Sequence, residues 1–427
     1  MHTLKEIYQD NEERNFIDPS LYSRYRVKAG LRNDNGTGVK VGLTKICDVI
    51  GYKIIHEKKY NIDGQLIYRG YPINYLVNKQ PSDKICGFEE TAYLLIFGTL
   101  PNADQLKTFK DYLLNFKMGP VDLQYETPNI LNALQIEVLK LYAKDPSADT
   151  DDLEERMMKG LKILASIPLF TFSYARNKVF KSYPYPDRSL AENILCMARG
   201  NDQYTFEEAK IMDTLLMVHA DHGGGNNSTF ANVVISSTGT DIYSCISAAI
   251  GSLKGPKHGG ANCKVTNMFK AIFHEVGFTT DKATLKKIAN RILDKDFFDH
   301  SGLIYGIGHA IYTKSDPRAL LIHEQCEALA KSKGQEEIYN CIHAFEKVAI
   351  EVMKERKGID VCANVDYYSG YVYSLLGIEA DLFTPLFAIS RTAGWVSHHL
   401  ENRQSNRKLI RPANVYVGEM EEIKWQQ

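Results

Sequence analysis

The sequence predicts an all-α fold carrying one minor β-hairpin near its N-terminus. Three observations lead there. Apolar residues recur every three or four positions through most of the 427 residues, the period of helices that bury one face. Helix-stopping and helix-starting residues punctuate those runs. Only one stretch has the composition of paired strands, and no strand–helix alternation argues for a parallel sheet. Internal repeats and low-complexity tracts are absent.

In chain order, the strand-like stretch comes first. Residues 51–70, GYKIIHEKKYNIDGQLIYRG, place β-branched and aromatic residues around Asp63-Gly64, a hairpin turn signal. Ala92, Leu95, Ile96 and Leu100, then Leu106, Phe109, Tyr112 and Leu113, have helical spacing. Residues 98–101, bounded by Gly98 and Pro101, close one helix; Pro128 and Asn129 open another; residues 145–152 are a polar connector before the next. Residues 245–253 and 382–389 are apolar on nearly every face, as expected of helices inside a large all-α core.

Composition narrows the function classes. Hydrophobic residues make up 44% and charged residues 24% of the chain, enough core for one large domain or two. Lys+Arg 51 against Asp+Glu 52 leaves a net charge of -1, so no electrostatic footprint points to nucleic acid or membrane, and any anion site must be local. The eight cysteines are scattered without a close pair and read as reduced core thiols. The leading MHTLKEIYQDNEERNF has no apolar segment, and no later run approaches the ~20 apolar residues of a membrane span. The expected compartment is the cytoplasm.

Glycine and histidine concentrate in HADHGGGNNSTF from His219, GSLKGPKHGGAN from Gly251 and YGIGHAIYTKSDPRA from Tyr305. Glycines beside a histidine let backbone approach a ligand and turn N–H groups inward, which suits oxygen anions; the plain alternative is turns and caps. His219 and His222 have the i, i+3 spacing of a metal pair, but no third ligand stands at a matching distance in sequence. Gly306-x-Gly308 lacks the preceding strand and third glycine of a dinucleotide fingerprint. In CANVDYYSGYVYSLLGI, Asp366 lies among Val365, Tyr367, Tyr368 and Tyr371. Such surroundings desolvate a carboxylate and strengthen it as a base; the alternative is that Asp366 is a helix N-cap. Arg318, Arg391 and Arg411 close the set, each readable alone as surface charge.

Taken in order, GPKHGGAN, GIGHAIYTKSDPRA, NVDYYSG and SRTAGW, supported by RGYPI, HGGGNNST and RPANVYVG, resemble the citrate synthase family over about residues 51–418. The resemblance implies an almost wholly helical homodimer: a large domain (1–264 plus 378–427) with an inserted small domain (265–377) that closes over the substrates. It implies condensation of acetyl-CoA with oxaloacetate and hydrolysis of the adduct to citrate and CoA. His258, His309 and Asp366 match the family's catalytic residues. His222, Arg318, Arg391 and Arg411 match its oxo-acid ligands, Arg411 reaching the neighbouring subunit's site. CoA is expected along Leu303, Gly306 and Gly308, its phosphates meeting Lys257 and Lys314. Thr313 and Ala310 depart from relatives that carry arginine there, so another phosphate contact must substitute. No permanently bound cofactor and no metal are implied.

Chemistry sharpens these roles. A carboxylate falls short of a thioester methyl group by more than roughly ten pKa units, over about 14 kcal/mol, so Asp366 can act as base only while a donor, by family match His258, stabilises the enol. His309 would polarise the ketone. A propionyl-CoA-using 2-methylcitrate synthase is the nearest rival, since one methylene is worth only ~1–3 kcal/mol of discrimination. A non-catalytic CoA- or carboxylate-binding protein and, from His219 and His222, a metallohydrolase are the rivals from other classes.

Overall fold

The computed structural model describes residues 5, 6, 9, 16–119, 123, 127–405 and 408–418; most of the N-terminal segment read above for a leader lies outside them. The chain divides into two units, Thr44–Leu409 and the smaller Met1–Leu43 with Ile410–Gln427. Among its described residues the smaller unit contains a five-residue helix, α1 (Ser20–Arg24), and a 3-10 turn, Ala29–Leu31. Residues 410–417, Arg411 among them, have no regular structure, and Arg411 is exposed.

The larger unit opens with β1 (Cys47–Ile55) and β2 (Lys58–Tyr68), paired antiparallel, and β3 (Tyr71–Pro72) adds a short third strand. The turn is not at Asp63-Gly64. It is the two-residue His56-Glu57 loop, with φ of 46° and 64°, the left-handed pair that a tight hairpin demands. Gly64 lies inside β2 for another reason: a Cβ there would stand 2.1 Å from the Ser315 carbonyl oxygen, and one at Gly51 would stand 2.4 Å from that of Ile311. Both glycines let the segment around residues 311–317 lie directly on the sheet. Gly64→Ala is therefore expected to cost about 1–3 kcal/mol through overpacking. Thermal unfolding measures it; an undiminished midpoint would mean that the segment moves aside freely.

The rest is helical. In order come α2 (Ile73–Asn78), α3 (Gly87–Phe97), α4 (Ala103–Leu114), α5 (Ile130–Ala143), α6 (Leu153–Ala175), α7 (Leu190–Arg199), α8 (Phe206–His219) and α9 (Asn227–Ser236). They continue with α10 (Ile242–Leu253), α11 (Ala261–Val276), α12 (Lys282–Leu293), α13 (Pro317–Ser332), α14 (Glu336–Lys357), α15 (Val365–Leu375) and α16 (Phe383–Gln404). The punctuation read from sequence holds: Gly98 ends α3 at φ 87°, and the side chains of Asn129 and Asp152 cap α5 and α6.

The chain's longest buried run is in α16, where residues 383–399 are all buried. It packs on α3, α6, α8, α9 and α10. Its first turns are the apolar run 382–389, which explains why no face is spared for solvent. α13 packs on α15 and α12 on α14, and one connected apolar core runs through these helices. All eight cysteines are unpaired, and all but half-buried Cys263 are buried. Among the described residues no helix is long and apolar enough to cross a membrane.

Candidate active site

Polar groups inside α16 need partners or a ligand. Arg391 is buried halfway along this helix, its Nε donating to the carbonyl of His219 at the end of α8 (2.7 Å) and its guanidinium 4.7 Å from the Phe387 ring centroid. Nη1 and Nη2 are also buried and have no partner among the described residues. Burial pushes the group's pKa down, opposed by the carboxylate of Asp221. Two parallel unpaired donors of this kind suit a carboxylate. Tyr68, at the end of β2, steadies the loop beyond α8: its hydroxyl donates to the Asp221 carbonyl (2.8 Å) and accepts the Asp221 N–H (3.1 Å). The Asp221 carboxylate in turn lies 3.0 Å from His398 Nε2 on α16.

A second fork stands at the start of α13. Asp316 caps that helix by accepting the N–H of Arg318 (3.0 Å), Pro317 takes the first helical position, and the same carboxylate receives Arg318 Nε (3.0 Å) and Nη2 (2.7 Å). Burial alone would raise Asp316 and lower Arg318, and their pairing overrides both effects. Arg318 is thus a buried, rigidly oriented cation.

Three histidines face these arginines. His309 Nδ1 accepts the backbone N–H groups of Ile311 and Tyr312, each at 3.1 Å, so the ring proton resides on Nε2, which is a donor. The His222 ring meets His309 edge-on at 5.1 Å, and its buried Nε2 lacks a partner among the described residues. Burial, then Arg318, His309, Arg391 and His258, drive its pKa well down. His258 occupies the turn between α10 and α11, where a Cβ on the next residue, Gly259, would come within 2.8 Å of the Leu253 carbonyl. Ser228 Oγ, itself receiving the Trp395 indole N–H (3.2 Å), lies 2.9 Å from His258 Nε2. Burial and the two arginines lower His258 to about 4, leaving it neutral at pH 7.

Asp366 is not the helix cap. Asn364 caps α15, its Oδ1 accepting the Asp366 N–H (3.0 Å), which leaves the Asp366 carboxylate uncommitted. Its Oδ1 is buried without a partner among the described residues. Burial raises its pKa to about 7, Arg318 and Arg391 opposing and Asp316 reinforcing.

The fold thus gathers His222, His258, His309, Arg318, Arg391 and Asp366, which sense one another's charge. His219 instead bonds the Leu215 carbonyl through Nδ1 (2.7 Å), and burial lowers it to about 3. Among the described residues no group of three or more His, Cys, Asp or Glu could hold a metal ion. Leu303, Lys257 and Lys314 are exposed. Gly306 and Gly308 have φ of 81° and 99°, and a Cβ on Gly306 would meet the Tyr367 ring at 2.8 Å; close packing therefore suffices to require glycine there. Asp316, Asn364, Ser228 and Trp395 were not singled out from sequence. Only the first two leave a local trace, an acid or amide two residues before the functional one.

The arrangement offers one uncommitted carboxylate, three histidine rings and two arginines: a proton acceptor, hydrogen-bond donors and receptors for a small polycarboxylate. Comparison with known proteins agrees with this chemistry. The family model "Citrate synthase, C-terminal domain" matches residues 33–413. The chain is 37% identical to a citrate synthase of Haloferax volcanii over 86% of its own length and 94% of the relative's. It is 33% identical to 2-methylcitrate synthase 1 of Corynebacterium glutamicum over 83% and 89%. Among solved structures it resembles the citrate synthase of the thermophilic archaeon Thermoplasma acidophilum in ternary complex with carboxymethyl coenzyme A and oxaloacetate. That match has a TM-score of 0.76 and 26% identity, covering 93% of this chain and 98% of the other.

Proposed function

The chain belongs to the citrate synthase family, and from that premise we propose that it joins the methyl carbon of acetyl-CoA to the ketone carbon of oxaloacetate and hydrolyses the product thioester, releasing citrate and CoA. The observation that carries this reading is the partnerless, buried Asp366 Oδ1 set within the field of Arg318 and Arg391. A carboxylate held there without a donor is a base awaiting a proton.

Arg318 and Arg391, with His222, hold the carboxylates of oxaloacetate, and the Nε2–H of His309 points its positive end at the ketone oxygen. Asp366 removes a methyl proton while His258, neutral and oriented by Ser228, donates to the thioester oxygen, so the enol rather than the free carbanion forms. The enol carbon attacks the polarised ketone, and water then cleaves the thioester. The family needs no metal for this sequence. Closure of the small domain, residues 265–377, over the large one would bring these groups onto the substrates. CoA would run along Leu303, Gly306 and Gly308, its phosphates near Lys257 and Lys314. The active form would be a cytoplasmic homodimer in which Arg411 completes the neighbouring site. Citrate made this way would feed an oxidative tricarboxylic acid cycle or glutamate synthesis alone.

Thiol release from acetyl-, propionyl- and butyryl-CoA with oxaloacetate tests the reading. The expected kcat/KM is highest for acetyl-CoA; a higher value for propionyl-CoA would assign the 2-methylcitrate activity instead, and no release from any thioester would leave a binding protein. Because the base must be ionised and burial raises Asp366 to about 7, kcat/KM should fall tenfold per pH unit on the acid side of about 7 and level off above it. A profile flat down to pH 5 would remove Asp366 from the base role.

A further inference from the structure

We propose that Asn364 is a positioning residue that holds the His309 loop in register with the base at Asp366. The inference rests on the roles just assigned to those two residues. Three contacts join the loops: the N–H of Gly308 donates to the Cys362 carbonyl (2.8 Å) and that of Asn364 to the Gly306 carbonyl (2.8 Å), the pair of bonds that makes Ile307 and Ala363 an antiparallel bridge, and Asn364 Nδ2 donates to the Gly308 carbonyl (2.9 Å). The first two are backbone contacts, indifferent to side chain. The third belongs to the asparagine side chain.

Capping does not account for it. Ser and Asp cap helices as well as Asn does, and the Asn364 Oδ1 bond to the Asp366 N–H needs only an acceptor. Ionised aspartate has no donor for the Gly308 carbonyl, and the serine hydroxyl, one bond shorter than the amide nitrogen, cannot span from the Asp366 N–H to that carbonyl. That carbonyl belongs to the peptide plane leading into His309, and Gly308, at φ 99°, has a wide conformational range of its own. Fixing the carbonyl fixes the plane, hence the direction in which the His309 Cα–Cβ bond leaves the chain. One amide group therefore grips the base's helix with its oxygen and the polarising histidine's loop with its nitrogen.

The test is a double-mutant cycle. Asn364→Ser keeps the cap and withdraws the donor from reach of Gly308; its unfolding midpoint should stay within about 2 °C of the parent, while kcat drops about 10- to 100-fold and the acid limb of the kcat/KM profile keeps its position. In a His309→Ala background the same substitution should change kcat less than about threefold, since nothing remains to position. Asn364→Asp, also a competent cap, should be no better than serine. An undiminished kcat for Asn364→Ser, or an equal loss in both backgrounds, overturns the inference while leaving the assignment of His309 intact. Full turnover by His309→Ala alone overturns that assignment and the inference with it.

Discussion

Replacing Asp366 with asparagine is expected to lower kcat by about 10²- to 10⁴-fold, the usual range for loss of a positioned general base, while oxaloacetate affinity stays within about threefold. The amide preserves shape and cannot accept the methyl proton. His258→Ala should cause a comparable loss, and the double variant should be scarcely worse than either single one, because base and enol donor act on one transition state. Thiol release and oxaloacetate titration by calorimetry measure the two quantities; independent, multiplying losses would separate the residues mechanistically. The same substitution should stabilise the unliganded protein. A carboxyl whose pKa climbs from 3.8 to about 7 on folding contributes stability present in full below 3.8 and lost as pH rises through 7. At pH 8 the native carboxylate is therefore a burden, on the order of 1–2 kcal/mol after allowing for solvent screening of a half-buried group. Asp366→Asn should melt higher than the parent at pH 8, and the gain should shrink toward pH 4.

Arg391→Leu should raise the KM for oxaloacetate by about 10²- to 10³-fold, with a smaller change in the KM for acetyl-CoA. Its two partnerless nitrogens each forfeit a charge-assisted bond of about 1.5–3 kcal/mol. Arg391→Lys should recover little of this, since an ammonium cannot reproduce the fork and its Nε link to His219 is lost. Steady-state kinetics with each substrate varied decides it; equal KM changes for both substrates would argue for general distortion of α16 instead.

What could be read in advance divides by distance along the chain. Caps such as Asn129 and Asp152 answer to neighbours two or three residues away, so the residues announce them. Gly64 looked like a turn because glycine after aspartate usually is one, whereas its requirement comes from Ser315, 251 residues on. The arginines and histidines of the site stood out through motif resemblance, not through periodicity. Their environment did not: Ser228 meets Trp395 across 167 residues, and that the cap of α15 falls to Asn364 rather than Asp366 is decided by backbone geometry that either side chain could have served.

The full burial of residues 383–399 in α16 has a consequence for biogenesis. Synthesis proceeds from the N-terminus, so the helices that surround α16 leave the ribosome before it does and must wait with an unfilled apolar trench. During that interval the nascent chain is a ready target for chaperones and for self-association. Arg391 arrives with the same late helix, so in its proposed role the ability to grip an oxo acid would be acquired only as the trench closes. A ligand of that pocket therefore reports completed folding, and supplying one during refolding should raise the yield at the last step rather than the first.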